Sequence, residues 1–158
     1  MKRGAITCMT GMVSFGAGFL LGGKMLVDMI NDYKARMEGN YLHFSLADQW
    51  LELLYAGRKI DTYFHEKGYH KIMIYGYGNL GRRLLQAFER TDIEVVCIMD
   101  QGAYEKTGMV VGTDAAIPAV DCIVVTPVSH FDSIFQMLRQ RTDIPIISIQ
   151  AVLEETDQ

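Results

Sequence analysis

The stretch 71–100 constrains this chain more than any other part of it. Its apolar run Ile72, Met73, Ile74, Tyr75 is short and sharply bounded, as a buried strand is. Gly76, Gly78 and Gly81 follow at G-x-G-x-x-G spacing, and Leu84, Leu85 and Phe88 then recur at helical intervals. A second apolar run, from Ile93 to Met99, closes on Asp100. In a strand, glycine turn, helix and strand of this kind each glycine has its own task. The first permits the tight turn, the second lets the backbone approach a pyrophosphate, and the third lets helix and strand pack closely. The amides that open the helix face such an anion along the positive end of the helix dipole. An acidic residue about 20 positions on can accept hydrogen bonds from ribose hydroxyls, and Asp100 stands in that place. Gly76, Tyr77, Gly78, Asn79, Leu80, Gly81 and Asp100 are therefore the candidate ligand-contacting residues. The competing reading is a turn of the same shape with no nucleotide, because glycine also persists where only the backbone needs it.

The second half continues the alternation. The segment 121–126 is apolar until its end, as a parallel strand buried on both faces should be, and Pro127 stops it. Ser129 is placed to cap a helix bearing Ile134, Phe135 and Leu138. A further strand is expected over 144–149, a short last helix around Val152 and Leu153, and a short edge strand over 109–111. Alternating strands and helices predict an α/β fold with a doubly wound parallel sheet of about five strands. The right-handed crossover rule sets Thr126 and Pro127 beside the glycine turn, at the switch point where ligands sit, and adds both to the candidate site.

Ahead of the sheet, residues 4–23 contain no charge and at 1.5 Å per residue would span about 30 Å, the thickness of a bilayer core. Six glycines dilute that stretch. A transmembrane helix is the expectation, against a secretory signal, which wants a cleavage site not evident here, and against a buried helix. Ser14, Gly18 and Gly22 recur every four residues and predict a close-packing stripe for a homodimer. Residues 24–39 continue the helix with charges, and Gly39 and Asn40 mark a stop. A second helix with Leu42, Leu46, Trp50, Leu53 and Leu54 ends at Gly57, and a third with Ile60, Tyr63 and Phe64 ends at Gly68. The expected organisation is an anchor and its extension over 1–38, a helical linker over 39–69 and the sheet domain over 70–158. Lysine and arginine flank the apolar stretch on both sides, so the expected orientation rests on the thiols and the nucleotide motif, which put the sheet domain on the cytoplasmic side.

Composition closes several alternatives. A net charge of −4 gives no electrostatic case for nucleic acid, which wants a basic face. Cys8, Cys97 and Cys122 have no paired spacing, and the last two fall in predicted strands as small hydrophobes. The four histidines are scattered, and no metal site is expected. Tyr63 and Lys67 form a Y-x-x-x-K, but it precedes the glycine turn, and both residues are expected on a solvated helix surface. Ser129, His130 and Asp132 invite a catalytic reading. Neighbouring helical side chains diverge, so capping explains them more simply. No catalytic set is expected.

On Gly76 to Gly81, the strand closing on Asp100 and the strand 121–126, the chain resembles the small Rossmann-type modules found beside nucleotide-sugar epimerases and glycosyltransferases of bacterial surface-polysaccharide systems. The resemblance covers 50–153 and implies a nucleotide-binding fold with NAD or a nucleotide-sugar as ligand. It also implies a glycosyltransferase or epimerase as partner. Enzymes with such a half carry a substrate domain after it, which this sequence does not show. The expectation is a membrane-anchored binding module with a sensing or scaffolding role. The alternatives are an NAD-dependent oxidoreductase or epimerase half needing a catalytic partner chain, and a scaffold that binds only protein.

Overall fold

A computed structural model describes the backbone of residues 3–102 and 108–157, with side chains from residue 23 onward. Two compact units emerge, Met1–Asn40 and Tyr41–Gln158. Helix α1 runs Arg3–Tyr55, so the expected stop at Gly39 and Asn40 does not occur. An interior glycine costs a helix only about 1 kcal/mol relative to alanine, and no proline follows to remove a backbone donor. The helix ends where Gly57 takes φ 72°. There the amides of Gly57 and Arg58 return to the carbonyls of Leu54 and Leu53, the left-handed stop that glycine favours.

Among the described residues no helix is long and apolar enough to cross a membrane, and this overturns the transmembrane helix expected over 4–23. The apolar stretch opens a longer helix whose described turns carry Lys24, Asp28, Asp32, Lys34, Arg36 and Glu38. Charges that recur at nearly every turn keep residues 24–38 from forming the uninterrupted apolar length of about 20 residues that a span requires. The Ser14, Gly18 and Gly22 stripe lies outside the described side chains.

The second unit holds the sheet. Its strands are β1 (Lys71–Tyr75), β2 (Glu94–Met99), β3 (Val110–Val111), β4 (Cys122–Val125) and β5 (Ile146–Ser148). All pair in parallel, in the order β3-β2-β1-β4-β5. This bears out the doubly wound sheet of five strands, an arrangement compatible with a Rossmann-type fold. Helices α2 (Asp61–Lys67), α3 (Asn79–Phe88), α4 (Phe131–Arg139) and α5 (Ile149–Thr156) complete the unit. One face of the sheet buries Ile72, Ile74 and Val124 against α3, α2, α5 and the end of α1, where Leu46, Trp50 and Leu53 line up. The other buries Met73, Tyr75, Ile123 and Val125 against α4 through Leu138. Right-handed crossovers leave β1 toward one side of the sheet and β4 toward the other, which sends their helices to opposite faces.

Tyr63 is buried, a correction to the solvated surface expected for it. It packs edge-on against Phe64, and burial pushes its phenol up to about 12. Lys67 does lie at the surface, over the Tyr63 ring and 2.9 Å from Glu155. Burial likewise pushes the Cys97 thiol up and the Cys122 thiol up to about 12, so neither supplies a thiolate nucleophile.

Candidate functional site

The carboxyl ends of β1 and β4 lie side by side, with Tyr75 opposite Val125 in the register. The chain leaves them in opposite directions, and the crevice between is where a doubly wound sheet takes its ligand. Gly76 carries the turn at φ 98°, a conformation open to glycine and costly for other residues. Its amide donates to the Met99 carbonyl at 2.8 Å, which ties the turn to β2. A side-chain carbon at Gly76 would lie 2.7 Å from Thr126 Oγ1 and 2.8 Å from the Pro127 ring. Thr126 and Pro127 thus form the wall behind the turn. Thr126 is buried, and its hydroxyl lies 3.1 Å from the Tyr75 carbonyl and 3.0 Å from that of Gly76, with one hydrogen to share between them.

The other two glycines answer to different constraints. A side-chain carbon at Gly81 would collide with the Gly76 carbonyl oxygen, so the first turn of α3 packs directly on the glycine turn. At Gly78 such a carbon would meet nothing within 4 Å. Gly78 has extended backbone and caps α3 without a side-chain hydrogen bond. The amides of Asn79, Leu80 and Gly81 open the helix, where the backbone has no intrahelical carbonyl to offer them. They lie beside the clear space over Gly78, at the positive end of the helix dipole.

Asp100 follows β2 and is half-buried. Its Oδ2 accepts the Tyr77 amide at 2.6 Å and its Oδ1 accepts the Gly102 amide at 2.8 Å. The acid therefore reaches the glycine turn itself. A carboxylate has about four acceptor positions, so two bonds leave capacity for a ligand hydroxyl.

All nine sequence-nominated residues stand at this end of the sheet. Beside them a cleft of about 280 Å³ is lined by Tyr75, Gly76, Asp100, Gln101, Pro127 and residues of the α4 start, His130, Ser133 and Ile134. That volume is near the lower limit for a small-molecule site, suited to a nucleoside portion rather than a whole dinucleotide. It adjoins a second hollow of about 420 Å³, which shares His130 and Ser133 with it. A larger cleft of about 590 Å³ lies between α2 and α5, lined by Arg58, Tyr63 and Glu155 among others. There Arg58 already donates to the Thr156 carbonyl and Glu155 already holds Lys67. Arg58 and Glu155 are thus already engaged, and the glycine turn, where the nominated residues gather, is the better candidate.

Tyr75, which lines the cleft, and Arg82, near the turn, escaped the sequence reading. Tyr75 is a strand residue whose phenol is pushed above its usual range by burial and then by the Asp100 carboxylate, so it remains a neutral hydroxyl. Arg82 donates to Asn79 Oδ1 at 2.8 Å, which sets a guanidinium one turn into α3. Its position directly after Gly81 was the available signal. Ser129 does not cap α4 as expected. It lies in a 3₁₀ turn, Val128–His130, that Pro127 initiates, and α4 starts only at Phe131. In that turn Ser129 Oγ and His130 Nδ1 come within 3.0 Å, a contact that the divergence of neighbouring helical side chains did not lead one to expect. Among the described residues no hydrogen bond joins Asp132 to them, so an acid–base relay is not assembled.

No family model, curated protein or solved structure matches the chain. The assignment of a ligand rests on this geometry.

Proposed function

We propose that the second unit binds a nucleotide through its diphosphate, as a binding module with a sensing or scaffolding role. NAD and nucleotide-sugars are the two ligand types that suit it. The observation that carries the reading is the contrast within the turn: two glycines are required by neighbouring atoms, whereas Gly78 opens onto empty space at a helix start. The protein's own packing gives no reason for glycine there, and a pyrophosphate against the backbone does. Asp100 suits a free ribose hydroxyl pair and disfavours a 2′-phosphate, which would meet its carboxylate, so NAD is expected over NADP.

One observation favours a second reading. Both Asp100 oxygens already accept backbone amides, so the turn is complete without a ligand, as a protein-binding scaffold would need it. Calorimetric titration with NAD, NADP and a UDP-sugar separates the two. The binding reading expects saturable heat with NAD or the UDP-sugar, and at least tenfold weaker binding of NADP. Absence of heat from all three, in folded protein, leaves the scaffold.

A further inference from the structure

Three side chains that the sequence scatters meet at the foot of the sheet, at the end opposite the glycine turn. His65 lies in the last turn of α2, His70 immediately precedes β1, and Asp92 lies in the connection from α3 to β2. One imidazole nitrogen from each histidine and one carboxylate oxygen lie within 4.8 Å of one another. His65 Nε2 and Asp92 Oδ1 are 3.1 Å apart. With metal–ligand bonds of about 2.0–2.1 Å, neighbouring donors of a tetrahedral centre stand roughly 3.3 Å apart. The His65–Asp92 edge already has that length. Closing the rest needs a movement of about 1.5 Å or less, within reach of side-chain rotation by the exposed residues.

The backbone beneath each ligand is fixed. The His65 carbonyl accepts the Gly68 amide where α2 stops. The His70 amide donates to Asp121 Oδ2 at 2.8 Å, and the His70 carbonyl accepts the Glu94 amide at 2.7 Å. Asp92 sits between Thr91, whose hydroxyl donates to the Phe88 carbonyl, and Ile93, whose amide donates to the Thr91 hydroxyl. An ion pair would need one histidine. Here a second imidazole closes on the same carboxylate, its ring centroid 6.0 Å from the first and tilted rather than stacked. Two imidazoles and one carboxylate match the donor preference of a borderline divalent ion.

We propose that His65, His70 and Asp92 bind one divalent transition-metal ion of the zinc type, with the fourth position open to water. Oxygen-seeking Mg²⁺ and Ca²⁺ do not suit two imidazoles. Strand β1 separates this site from the glycine turn by about 16 Å, so the ion takes no part in nucleotide binding. It ties α2 to the α3–β2 connection.

The test uses the full chain, freed of metal by chelation and titrated calorimetrically with Zn²⁺ near neutral pH. One ion per chain should bind with micromolar affinity. His65→Ala, His70→Ala and Asp92→Asn should each weaken binding at least tenfold. Asp92→Asn keeps an acceptor for His65 while losing the charge, so it separates a metal ligand from a hydrogen-bond partner. All three side chains are exposed, and unchanged circular dichroism in the variants confirms that folding is not the cause. Co²⁺ bound at the same site should give the visible absorption of a four-coordinate centre. The proposal is overturned by the absence of saturable Zn²⁺ binding, by equal affinity in the triple variant, or by Mg²⁺ or Ca²⁺ binding as tightly as Zn²⁺.

Discussion

Gly78 and Gly81 lie three residues apart in one turn, and substitution should separate their roles. An alanine at Gly81 drives its methyl carbon into the Gly76 carbonyl, and the backbone on both sides is held by β1 and α3. Overpacking of that kind costs about 1–3 kcal/mol or more, which should appear as a lower urea midpoint for Gly81→Ala. Gly78→Ala meets no atom within 4 Å and should keep the midpoint of the parent while losing the heat of nucleotide binding. A Gly78→Ala protein that binds NAD and UDP-sugar as before would remove the diphosphate from this turn. The tight turn at Gly76 and the close packing at Gly81 could be anticipated because spacing along a short local segment carries them. Thr126 is different. Its hydroxyl is shared between the Tyr75 and Gly76 carbonyls, and that contact exists only after β4 has paired with β1. No local pattern encodes it, and the same holds for the meeting of His65, His70 and Asp92.

At the scale of elements, the strands announced themselves because each is a short apolar run bounded by turn residues. The helix boundaries were less legible, since α1 passes through Gly39 and Asn40, and Pro127 starts a 3₁₀ turn that shifts the beginning of α4 to Phe131. A glycine and a cap-forming serine are weak local signals, and neighbouring helical turns or a proline override them. One inter-element link is open to a pH experiment. Asp121, in the approach to β4, accepts the Lys71 amide at 2.7 Å and the His70 amide at 2.8 Å through a single carboxylate oxygen. The Lys71 and then the His70 hydrogen bond hold its carboxyl below the usual carboxylate range. A depressed folded-state value means a contribution that is full above the unfolded value of about 3.9 and is lost as pH falls through the folded value. Asn at this position can accept the same amides without the charge. Asp121→Asn should therefore have a lower urea midpoint than the parent at pH 7, and the gap should close in strong acid. A gap that is constant with pH would show that the charge contributes nothing.

For the molecule as a whole, the division at Asn40 and Tyr41 makes a prediction about what folds alone. The buried apolar residues of the described chain begin at Leu46 and continue through Trp50 and Leu53 to Leu153. None of them precedes Tyr41, so a polypeptide of residues 41–158 contains this core entire and should show a cooperative thermal transition. Its nucleotide affinity should equal that of the full chain, because every residue of the glycine turn and of the β4 wall is present. A polypeptide starting at residue 58 lacks the last turns of α1, and with them Leu46, Trp50 and Leu53, which cover one face of the sheet. Full burial of a large apolar side chain is worth about 1.5–3 kcal/mol. Three of them together contribute an amount comparable to the whole stability of a small domain, about 5–15 kcal/mol. The shorter polypeptide should therefore lose its cooperative transition and expose the apolar face of β1 and β4 to a hydrophobic dye. Calorimetric scans of the two fragments beside the full chain decide the matter. A sharp transition in the shorter fragment would mean that the end of α1 covers the sheet without holding it together, and loss of the transition in the longer one would mean that residues 1–40 belong to the same cooperative unit.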